Sequence, residues 1–75
     1  MAGVSFITDL ADALARDTLA AMEETGEDRL YVEVAAVLSA ASTTLEEEFL
    51  IAIRVRLAER RGRAFLEEFL AKRDP

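Results

Sequence analysis

The side chains with reactive potential are few and scattered. They are three consecutive glutamates (Glu46, Glu47, Glu48), five arginines (Arg54, Arg56, Arg60, Arg61, Arg63), one phenol (Tyr31), and Ser5, Ser39 and Ser42 with Lys72 as a conceivable activating base. The glutamates could in principle hold a hard cation, but successive residues on a helix point about 100 degrees apart and cannot converge on one ion. A carboxylate-bridged metal centre in a helical bundle needs Glu-x-x-His elements, and the chain has neither histidine nor cysteine. No metal and no cofactor are therefore expected. A serine nucleophile would need a base held against it, and no motif brings Lys72 or a carboxylate to Ser5, Ser39 or Ser42. The hydroxyls are better explained as helix caps and turn residues, and Tyr31 as an aromatic at the edge of a core with its hydroxyl in water. An enzyme is not expected.

The arginines raise a different possibility, because Arg56, Arg60 and Arg63 recur at i, i+4, i+7 and so share one helical face. A helix presented to DNA reads the major groove with its N-terminal residues, which here are Glu46, Glu47 and Glu48, and phosphates repel them. There is also no aromatic platform among the bases of the kind that stacks single strands. A solvated, ion-paired face is the simpler account, and a small nucleic-acid-binding regulator using Arg54, Arg56, Arg60, Arg61 and Arg63 is the alternative reading.

These residues must be positioned by helices. Ile7, Leu10, Ala11, Leu14, Thr18, Ala21 and Met22 recur at helical spacing, with Ser5 or Thr8 able to cap and Gly26 able to terminate, which predicts a first helix over about residues 6–24. Leu30, Val34, Val37, Leu38 and Ala41 follow i, i+4, i+7, i+8, i+11 behind Asp28 as N-cap, which predicts a second helix over residues 29–41 despite its strand-forming valines. Thr43 and Thr44 each precede a glutamate by three residues, the capping-box spacing, so the glutamate cluster marks the start of a third helix. Gly62 could break that helix, yet Glu59, Arg63 and Glu67 form an i, i+4, i+8 ladder across it, and Glu68 pairs with Lys72. The third helix is predicted to run unbroken over residues 44–72.

The expected fold is all-α, a single domain over residues 1–75. Its net charge is -6, but the charge is unevenly spread. Residues 1–48 carry eleven acids against Arg16 and Arg29, whereas residues 49–75 carry seven bases against four acids. The longest apolar runs, Val34 to Leu38 and Phe49 to Ile53, fall far short of the roughly 20 residues of a membrane span. With no basic leader ahead of an apolar segment, a cytoplasmic, soluble chain is expected.

A chain this short builds a small core and gains from self-association. A third helix of about 28 residues would be roughly 42 Å long, against a diameter of about 30 Å for a compact globule of this length, so one end must project, and the bare apolar patch it carries is Phe65, Leu66, Phe69 and Leu70. On that helix Leu45, Phe49, Ile53 and Leu57 gather on a side that can cover the first two helices. Ile51, Val55, Ala58, Gly62, Phe65 and Phe69 gather opposite, spaced 4, 3, 4, 3, 4, the seam of a helix-helix contact. The expectation is a non-catalytic oligomerisation or partner-binding module that forms an antiparallel helical-bundle dimer or higher oligomer through those six residues. Nucleic acid and membrane are not expected partners, and another protein could take the same seam.

Overall fold

The computed structural model describes residues 2–73, with side chains from residue 6 onward. It is all-helical, with α1 (Ala2–Thr25), α2 (Leu30–Ala41) and α3 (Thr43–Lys72) in chain order and no strand among the described residues. All three lie close to the spans expected from periodicity, and α3 runs unbroken through Gly62.

The helix ends have identifiable causes. Gly26 closes α1 with φ 79°, a left-handed conformation that costs glycine nothing, and its N–H donates to the Met22 carbonyl at 2.8 Å. The expected caps of α1 are corrected: the helix already begins at Ala2, so positions 5 and 8 lie inside it. Asp28 does not cap α2 either, for the flanking residue is Arg29 and no side chain takes up the first free N–H groups. The start of α3 also shifts by one residue. Ser42, in extended backbone, ends α2 through its N–H to the Leu38 carbonyl at 2.7 Å and starts α3 by accepting from the Leu45 N–H at 3.1 Å. One residue in β geometry thus serves both helices, leaving Thr43 and Thr44 as the first turn rather than as caps.

The core is one-sided with respect to α3. Ala11, Ala15 and Leu19 of α1, Ala35 of α2, and Phe49 and Ile53 of α3 are buried together, with Leu45 and Leu57 among the half-buried residues packed around them. Alanines on α1 and α2 let those helices approach α3 closely enough to enclose Phe49 completely. Burying Leu19, Phe49 and Ile53 contributes about 1.5–3 kcal/mol each. Three expected core-face positions are exposed instead: Val37 at 72%, Leu10 at 46%, and Ala41 at the end of α2. The buried stripe of α1 runs instead through Ala11, Ala15 and Leu19 at i, i+4, i+8, and α2 buries Ala35.

The consequence for shape is a projecting helix. The Cα radius of gyration is 15.3 Å, where a compact chain of this length would have about 11 Å. Every residue from Ala58 to Arg73 is exposed. Past Arg60, which stands 3.7 Å from Glu23 of α1, no side-chain hydrogen bond or ion pair among the described residues ties α3 to α1 or α2, and the helix is held by its own continuity, by the Glu59–Arg63 and Glu68–Lys72 ion pairs, and by Lys72 in the last turn, at the negative end of the dipole. Each such pair is worth about 0.2–0.5 kcal/mol, little for a segment that exposes four large apolar side chains.

Candidate association surface

The face of α3 turned away from α1 and α2 carries all six residues of the expected seam, and all six are exposed. Ile51 is 49% exposed, Val55 61%, Phe65 72% and Phe69 56%, with Ala58 and Gly62 between them. Leu66 and Leu70 widen the strip along the projecting half, at 51% and 47% exposure. Those two lie off the 4, 3 spacing of the seam, but with Phe65 and Phe69 they make up the bare apolar patch expected on the projecting end. The opposite face holds Phe49 and Ile53 in the core, so one helix presents two apolar faces, one covered and one bare. Bare apolar strips of this length are uncommon on monomers and mark contact surfaces.

The accessible surface of the chain is 5756 Å². A compact monomer of 8.3 kDa would show about 4,600 Å². The excess, roughly 1,200 Å² by that scaling, is more than the about 800 Å² that each partner gives up in a standard protein interface.

The arginines do not form a free basic surface. Arg56 donates from Nε and Nη2 to both carboxylate oxygens of Asp12 at 2.7 and 2.8 Å, a bidentate bridge tying α3 to α1. Arg60 stands 3.7 Å from Glu23 of α1, and Arg63 pairs with Glu59 at 2.6 Å. The face they share therefore carries its own counter-charges, and Arg54 and Arg61 have no ion-pair partner among the described residues. The hydrogen bonds from Arg56 hold the Asp12 carboxyl below its usual range, against a smaller desolvation effect, and the same contact raises Arg56.

The remaining reactive side chains are dispersed. Ser42 is occupied in capping, and Lys72 lies thirty residues further along the same helix, about 45 Å away. Ser39 lies beside Tyr31, Val32, Leu50 and Arg54 in a cleft between α2 and α3 that is open to solvent, while Ser5 is outside the described side chains. Tyr31 is half-buried against the core. Glu46 and Glu48 are half-buried and Glu47 is exposed, and no group of three potential metal-ligating side chains converges among the described residues. No described helix is long and apolar enough to cross a membrane.

Comparison of the chain with protein-family models, with curated protein sequences and with solved structures gave no match.

Proposed function

We propose that the chain is a non-catalytic association module whose working surface is the outward strip of α3, and that it pairs with a second copy as an antiparallel dimer. The observation that carries this reading is the strip itself: Ile51, Val55, Phe65 and Phe69 lie bare at heptad-like spacing on a helix whose other face is already used. Orientation follows from charge. Acids open α3 at Glu46, Glu47 and Glu48 and bases close it at Lys72 and Arg73, so an antiparallel pair sets opposite charges side by side whereas a parallel pair stacks like on like. Rim pairs of this kind contribute about 0–1 kcal/mol each. They choose the orientation, and the apolar strip supplies the affinity. The counter-charges on Arg56, Arg60 and Arg63 favour this reading over nucleic-acid binding, since phosphate would have to displace Asp12, Glu23 and Glu59.

The absence of native cysteine allows a clean test. Val55→Cys and Phe65→Cys are made separately, mixed with refolding and oxidised. The antiparallel pair gives a mixed disulfide between the two variants in preference to either homodimeric one. Efficient linking of the Val55→Cys variant to itself would refute the orientation in favour of a parallel pair.

A further inference from the structure

Gly62 sits in the middle of an unbroken helix, at a point where its own chain has no use for glycine. A Cβ built on it meets no atom within 4 Å, and among the glycines described only Gly26 has positive φ. Glycine inside a helix is disfavoured relative to alanine because it has more backbone freedom to lose. One turn earlier, Ala58 is exposed as well. Neither the local backbone nor the core of this chain explains why the two smallest side chains of the strip lie side by side at its centre.

We propose that Ala58 and Gly62 are the crossing point of two α3 helices, with the two-fold axis of the dimer at residue 60, where the backbones approach closely. The inference rests on the self-association reading and adds the register. The occupant is a second copy because the strip complements itself about that axis. Ala58 faces Gly62 of the partner, Val55 faces Phe65, and Ile51 faces Phe69, so small side chains meet at the crossing and each aromatic meets a mid-sized aliphatic on either side. In heptad terms every layer joins an a position to a d position, the pairing of an antiparallel coiled coil. The same axis brings Glu47 and Glu48 level with Arg73 and Lys72 of the partner, so apolar volume and charge select one register. It also lays each unsupported outer half of α3 along the inner half of the other copy's α3, which covers the surface left bare in the single chain.

Gly62→Ala and Gly62→Leu test the register, read by sedimentation equilibrium for association and by urea unfolding of dilute samples for the fold. With open space around Gly62, Gly62→Ala raises the unfolding midpoint of the dilute chain. Gly62→Leu retains helical circular dichroism and weakens dimerisation by about tenfold or more, because both copies carry the added bulk into the crossing. A Gly62→Leu chain that dimerises like the unmodified one overturns the register while leaving self-association standing, and so does a lowered midpoint for Gly62→Ala. An unmodified chain that sediments as a monomer overturns the register and the self-association reading together, whatever other protein the strip then binds.

Discussion

Truncating Phe49 separates the two faces of α3. Phe49 is fully buried between α1, α2 and the body of α3, so Phe49→Ala forfeits the transfer of an aromatic ring and leaves a cavity that the surrounding alanines cannot fill. Buried Phe→Ala changes cost about 3–5 kcal/mol. A 75-residue chain has about 4–11 kcal/mol of net stability at the usual value per residue, so the loss takes about a quarter or more of the total. At about 4–8 °C per kcal/mol for a small domain, the melting temperature falls by at least about 12 °C. The assay is urea and thermal unfolding followed by far-ultraviolet circular dichroism, at a low and a high protein concentration. Because Phe49 belongs to the single-chain core, the destabilisation persists at both. Phe65→Ala is the matched control: at 72% exposure it changes the dilute chain by no more than about 0.5 kcal/mol and lowers stability only where the dimer is populated. A loss below about 1 kcal/mol for Phe49→Ala, or equal losses for the two variants in dilute samples, would refute the division of α3 into a core face and an association face.

The Asp12–Arg56 bridge gives a pH dependence of fixed sign. The Asp12 carboxyl is held below its usual value, so the bridge stabilises the fold in full above the ordinary carboxylate range and is lost as the pH falls through the lowered value. Unfolding midpoints measured on either side of about pH 4 therefore show a smaller acid-side decline for Asp12→Asn than for the unmodified chain. Replacing Ser42 by alanine removes the cap of α3 and lowers stability by about 1 kcal/mol. Thr43→Ala and Thr44→Ala each leave it within about 0.5 kcal/mol, and a larger loss at Thr44 than at Ser42 in urea unfolding would contradict the observed cap.

The three helices were legible in the sequence because each signal had one physical meaning. Gly26 follows the last apolar position of a long periodic run, and glycine adopts the left-handed geometry of a helix end without strain. The charge ladder across Gly62 argued for continuity more strongly than one glycine argued for a break. The inward face of α3 was equally readable, because Phe49 and Ile53 have no alternative partner on the wheel. What sequence reasoning missed lay where composition offers no contrast. In α2, LYVEVAAVLSAA has one charge in twelve residues, so several stripes look apolar, and the choice of Ala35 over Val37 was made by how closely α1 and α3 approach. In α1 the buried stripe follows Ala11, Ala15 and Leu19 at i, i+4, i+8, and Leu10 lies off it at the surface. Around residues 42–44 three hydroxyl side chains stand in a row, and capping-box spacing favoured the two threonines. The short connection between α2 and α3 gave the role to Ser42, the only residue there free to stay extended. The outward strip was legible both as the 4, 3 seam and, on the projecting end, as the bare group Phe65, Leu66, Phe69 and Leu70, because a helix longer than the globule must leave its last turns uncovered.

Sedimentation equilibrium of the unmodified chain beside Phe69→Glu tests the central claim most directly. Over tens of micromolar the unmodified chain is expected at twice its 8.3 kDa mass, and Phe69→Glu, which places a charge in the outermost apolar layer of the strip without touching the core, at the mass of a single chain with its helical content retained. A single-chain mass for the unmodified protein at these concentrations, or an intact dimer in Phe69→Glu, would contradict the assignment of the outward face of α3 to self-association.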